Sequence, residues 1–464
     1  MNTGVTEASA AVGGALTGRS GHVGASFRHY ANDYGIPGGF VGGHDRGVDI
    51  AMRRQTVRVE ADHHRESGLI ELLNATVVAT NYHHREFSPS GAVGTTFGQQ
   101  FVTGELTARH YAAGPFVQGA LGLRAQYRDI TTGGSLQTPS TRDVSYAAFL
   151  VEEIGSGSLR LQAGLRYDWA RYTPREEAFI DVGGVRVPVR PRRFGSLSGS
   201  AGLLYEAARG VRLGASLNRA YRTPDFNELY SNGPHLAANS FNVGDPNLAS
   251  ETGLGIDAFL RVNRSRLNAE LAVFSNGLAD FIFESSRGRA EIGSQGGRPR
   301  FQYTNEGARF RGAEGRVEWS LTDALVMEAT ASWVEARFTS ERDSIPVITA
   351  ADTTFVPASP YPPFIPPLNG QVGVRLDRTR WFAGVAARFS ARQDRLGDFE
   401  EPTAGFVVPN ANAGLRVVRG SQLHTITLRL ENALDRVYRD HLSRLKAIMP
   451  EPGLNLSLLY RVTL

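Results

Sequence analysis

Eleven histidines are the side chains of this 464-residue sequence best suited to chemistry at neutral pH. His44 stands beside Asp45 in "GGFVGGHDRG", His235 lies in "SNGPHLAAN", and His63–His64 and His83–His84 are adjacent pairs. Imidazole with carboxylate is a donor set for zinc or nickel. Neighbours on a strand point to opposite faces, however, so neither pair holds one ion by itself. Asp62 before His63 and Asp440 before His441 invite an acid–base reading. That chemistry needs convergence in space, which adjacency in sequence does not supply. The sequence has no Gly-rich phosphate loop and no nucleophile elbow. It has no cysteine either, which excludes disulfides and thiolate catalysis. His44, Asp45 and His235 remain as candidate substrate contacts, and no cofactor is expected.

The elements that must position these residues are strands. In "LRLQAGLRYDWARY" one face carries Leu159, Leu161, Ala163, Leu165, Tyr167 and Trp169. The other carries Arg160, Gln162, Gly164, Arg166 and Asp168. A period of two is the strand period, and no helical stripe competes with it. Nineteen segments read this way, from 4–16, 20–30 and 46–62, through 266–283 and 300–319, to 405–418, 422–435 and 454–464. Many are longer than the roughly 5–6 residues usual in soluble sheets.

The connections sort themselves by length. Terse ones such as "NRSR" (263–266), "DRTR" (377–380) and "RGSQ" (419–422) alternate with long ones at 31–45, 85–95, 130–140, 172–192, 220–250, 284–299, 339–367, 392–404 and 436–453. A soluble sandwich has no reason to sort its loops by end. An outer-membrane barrel does, because its periplasmic turns are short and its outer loops long. His44, Asp45 and His235 then belong to outer loops.

Bulk properties agree. Fifty basic residues against 46 acidic ones give nucleic acid no claim. Lys446 is the sole lysine, which reads as a compositional bias. No apolar run is long enough for a membrane-spanning helix, yet alternating strands need none. The opening "MNTGVTEASAAVGGALTGRS" lacks the basic start and apolar core of a secretion signal. The fold class expected is all-β: a transmembrane, antiparallel, up-and-down barrel with apolar side chains toward lipid and a polar bore. Trp169, Trp381, Tyr438 and Tyr460 are expected near the membrane boundaries.

"NRAYRTPDFNELY" (218–230), "GPHLAANSFNVGDPNL" (233–248) and Glu251 resemble the barrel of TonB-dependent outer-membrane receptors. "NEGARFRGAEGRVEW" (305–319), "LENALDRVYRDHLS" (430–443) and the closing "PGLNLSLLYRVTL" (452–464) agree in order, although the last residue is Leu where the family usually ends on an aromatic. The positions carrying the signature are Arg222, Pro224, Glu228, Leu229, Tyr230, Gly244, Asp245, Pro246, Leu248 and Glu251. "YGIPGG" (34–39) and "NYHHREF" (81–87) look like the zinc-uptake branch.

The resemblance implies a receptor that binds a scarce nutrient, such as a metal ion or an iron chelate. Energy delivered by the TonB system through a plug domain would then release that nutrient inward. No plug or coupling segment is visible, so 1–464 is expected to be the barrel domain alone, about nineteen of some 22 strands, with the plug and first strands missing. A gap or strained closure is therefore expected between 4–16 and 454–464. The partners implied are outer-membrane lipid, a small nutrient, and TonB only where a plug is present. A passive porin-like channel is the alternative, and an enzyme is not expected.

Overall fold

A computed structural model describes residues 2–36, 47–88, 90–235, 240–289, 299–348, 353–443, 446–447 and 449–463. For 235, 287–289, 299, 346–348 and 353 it describes the backbone alone. Among the described residues nineteen long strands run from Val5–Gly18 to Asn455–Thr463, each paired antiparallel with the next long strand in the chain. All nineteen expected segments are present. Among the described residues no ladder joins Val5–Gly18 to Asn455–Thr463. No residue of Val5–Gly18 is buried by the rest of the chain.

Register keeps the two faces distinct across the sheet. Leu161, Leu203, Ala215, Ala258, Val273, Ala313 and Trp333 stand opposite one another on successive strands. One residue along, Gln162, Gly202, Ser216 and Asp257 form the matching polar row. Asp257 accepts hydrogen bonds there from Asn218 at 2.9 Å and Ser216 at 3.3 Å. The apolar face is left bare: Leu165, Leu217, Ile256 and Leu271 are each more than half exposed. So large an uncovered apolar surface needs lipid against it.

Trp169 stacks on Tyr146 toward the long-loop end, while Trp381 and Tyr460 lie exposed toward the short turns. Tyr438 leaves the wall and rests against Phe406, with ring centroids 4.5 Å apart.

The differences from the sequence reading lie at the long-loop end. Strands expected at 266–283 and 300–319 are Leu267–Arg289 and Pro299–Ser320. The connections expected at 85–95 and 130–140 shrink to 88–92 and 135–140. Backbone pairing continues above the lipid, where both faces meet water and alternation is no longer required. The strand expected at 422–435 ends at Glu431, because Asn432 turns left-handed (φ 48°). Its side chain bonds the Arg436 N–H and carbonyl instead. Irregular connections also hold short hairpins, Phe179–Val182 with Val185–Pro188 and Asn232–His235 with Ser240–Val243, and one helical turn, Phe226–Tyr230.

Candidate functional site

The connection from 223 to 250 is built around Arg222, at the end of its strand. Its Nη1 lies 2.8 Å from both oxygens of Glu228, and its Nη2 donates to Glu251 at 3.1 Å. Glu228 also accepts the Asp225 N–H at 2.7 Å, which starts the helical turn. Glu251 accepts the Ile282 N–H at 3.1 Å. One guanidinium thus ties the loop's entry, helix and exit, the planar fork geometry for which arginine is suited. Asp225 reaches outward to Arg128, whose other edge holds Asp143, both at 2.5 Å.

Inside this frame the loop has its own core. Leu229 and Tyr230 are fully buried with Pro224, and Phe226, Val243 and Leu248 join them. They pack on Ile130, Ala170, Tyr172 and Phe194 of the wall and on Ile180 of the neighbouring hairpin. By the period of two, those wall residues share the face of Asp168, so the loop folds inward over the bore. The Tyr230 hydroxyl donates to the Arg190 carbonyl at 2.8 Å, and burial pushes its pKa up.

Gly244 passes directly under the helix. A Cβ there would stand 2.6 Å from the Leu229 carbonyl carbon and the Tyr230 nitrogen. Its N–H donates to the Ser231 carbonyl at 2.7 Å, and the Asp245 N–H to that of Glu228 at 2.9 Å. Asp245 caps the following turn through the Asn247 N–H at 2.8 Å. Burial raises its carboxyl above the usual range, against that bond and Arg192. Arg192 donates to the carbonyls of Pro246 and Leu248. The signature residues are therefore the fastenings of a folded outer loop.

A second buried knot joins the connections 391–405 and 432–454. Glu400 accepts from Lys446 at 2.6 Å, and its carboxylate lies 3.0 Å from His441 Nε2. His441 Nδ1 lies 3.0 Å from the Thr403 hydroxyl. Burial disfavours the Glu400 charge, but bonds from His441, Lys446 and the Gly397 N–H outweigh it and hold the carboxyl at about 2. Hydroxyl, imidazole and carboxylate are lined up but sealed from solvent, so the arrangement fastens loops. Sequence reasoning missed it. The lone lysine was the available signal, and here it is an ion-pair partner, whatever bias made it the only one. Asp440, beside His441 in sequence, goes instead to Arg388 at 2.5 Å.

The other histidines separate as the strand period requires. His84 meets the Tyr82 hydroxyl at 2.7 Å, while His83 accepts from Arg85 at 3.2 Å. Asp62 pairs with His22 at 2.6 Å. His44 and Asp45 lie outside the described residues, and His235 is described only as backbone at the end of Asn232–His235. Among the described residues no group of three or more His, Asp or Glu could hold a metal ion.

A family model described as TonB dependent receptor-like, beta-barrel matches residues 6–433. The chain belongs to the TonB-dependent receptor family. Its fold is similar to that of the copper transporter OprC, with a TM-score of 0.79 at 20% identity over 99% of this chain and 72% of that one. The FrpB iron transporter from Neisseria meningitidis follows at 0.72, with 12% identity over 99% and 73%. The ferric citrate transporter FecA gives 0.68, with 13% over 99% and 70%. As a TonB-dependent receptor barrel the chain is an outer-membrane nutrient-uptake protein and not an enzyme. The receptor's short turns face the periplasm and its long loops the exterior.

Proposed function

We propose that this receptor barrel captures a scarce metal or metal chelate at its outer mouth and admits it in an energy-coupled step driven by the TonB system. The observation that carries the reading is the inward fold of 223–250, whose hydrophobic core and charge network build a shaped mouth over the bore. Solved structures of similar fold bear the names of copper, iron and ferric citrate transporters, which favours a metal-containing cargo. His44, Asp45 and His235 are proposed contacts for it, and outer-membrane lipid covers the apolar face.

Uptake of labelled copper and ferric citrate by cells producing the protein tests this. Saturable accumulation of at least one of them that a protonophore abolishes is expected. Accumulation that rises linearly with concentration and ignores the protonophore would instead make the protein a diffusion channel.

A further inference from the structure

We propose that a pocket among the outer loops binds a small anion through carboxylate or phosphate oxygens, so that the cargo is a negatively charged chelate and not a bare cation. This rests on the uptake reading above and gives it a substrate class. The pocket has a volume of about 390 Å³, within the roughly 300–1,000 Å³ of small-ligand sites. It lies between the hairpin Phe179–Pro188, the hairpin beginning at Asn232, the turn at 135–137 and Arg300.

Its charge is unbalanced toward positive. Arg186 and Arg300 line it against one carboxylate, Asp181. Asp181 is already engaged: it accepts the Gly184 N–H at 2.8 Å within its own turn and stands 3.7 Å from Arg300. Arg186 lies 4.3 Å from the centre of the Phe179 ring and has no carboxylate partner among the described residues. Arg300 donates one N–H to the Asp181 carbonyl at 2.9 Å, while its buried Nε has no partner. Stacking presets the first guanidinium, and the bond to the Asp181 carbonyl holds the second in place. Two guanidinium groups against one engaged carboxylate match the charge and oxygens of a carboxylate or phosphate, and they repel an uncomplexed cation.

The floor is firm. Val182 and Phe241 pack on the core of the inward-folded loop, and residues 241–243 pair with 300–302. Because that core sits on the bore side of the wall, the chemistry favours a soluble anion over a lipid phosphate.

Calorimetry on the refolded full chain in micelles free of lipopolysaccharide, with citrate and inorganic phosphate as probes, tests the site. Citrate should bind with one-to-one stoichiometry. Arg186→Gln and Arg300→Gln should each weaken it about tenfold. Asp181→Asn keeps an oxygen for the Gly184 N–H and removes the competing charge, so it should tighten binding. A misfolded protein would not show that gain. No binding of either probe, or binding indifferent to all three substitutions, would overturn the proposal, as would binding of lipid A alone. If citrate binds as expected while cellular uptake ignores the protonophore, the pocket stands and the uptake reading falls.

Discussion

The phenyl ring of Phe259 fills the space where a Cβ on Gly214, its directly opposed cross-strand partner, would stand. The same pairing recurs at Phe149 and Gly122, Phe274 and Gly312, and Phe382 and Gly414. All four pairs share the bore face in the half nearer the short turns. In three of them an arginine lies over the ring: Arg261 at 4.7 Å from its centre, Arg416 at 4.8 Å and Arg166 at 5.8 Å. Glycine lets each inward aromatic lie back on the wall instead of standing in the bore.

Gly214→Ala should therefore drive the ring off the wall and cost about 1–3 kcal/mol by overpacking. The loss is read as a lower temperature for the heat-induced mobility shift of the folded barrel on gels. In a Phe259→Ala background the same substitution should cost almost nothing, since the two residues are coupled through direct contact. An equal loss in both backgrounds would show that the ring is not the obstacle.

Arg222→Ala removes a partner from two largely buried carboxylates, a loss of about 1–3 kcal/mol to the outer loop. Gly244→Ala forces apart the backbone under the helix. Both should speed chymotrypsin cutting within 223–250 on intact cells, about tenfold for each 1.4 kcal/mol lost. Wild-type rates in both variants would mean that these fastenings do not hold the loop.

The Glu400 knot makes the outer loops acid-sensitive. Its carboxyl is depressed to about 2 from an ordinary 4.5. The folded state therefore gains stability above pH 4.5 and loses it as pH falls toward 2, by on the order of 3 kcal/mol. Pepsin cutting within 432–454, measured against an unfolded control, should rise as pH is lowered through that window. Glu400→Gln should be cut at an even rate throughout. A wild-type protein cut equally at pH 2 and 4.5 would remove Glu400 as the anchor.

The wall was legible because one physical requirement, apolar toward lipid and polar toward water, is written into every second residue. The segment read at 158–171 is Leu159–Pro174, and even the short Asn455–Thr463 falls where alternation put it. The mouth was not legible to the same depth. The Phe226–Tyr230 turn is too short to show a helical period. Glu400, His441 and Lys446 come from two irregular connections, and Arg186 and Arg300 lie more than a hundred residues apart. Which loop residues meet is decided by how neighbouring strands carry their ends together, and no local pattern records it.

The central claim is a sheet with one face to lipid and one to water, and the absence of cysteine makes site-directed spin labelling clean. Single cysteines at each position from 159 to 169, labelled and reconstituted in bilayers, can be read by power saturation with oxygen and a water-soluble nickel chelate. Oxygen contact should peak at 159, 161, 163, 165 and 167, and nickel contact at 160, 162, 164, 166 and 168. Nickel contact at every position, or the two reagents rising and falling together, would contradict the account.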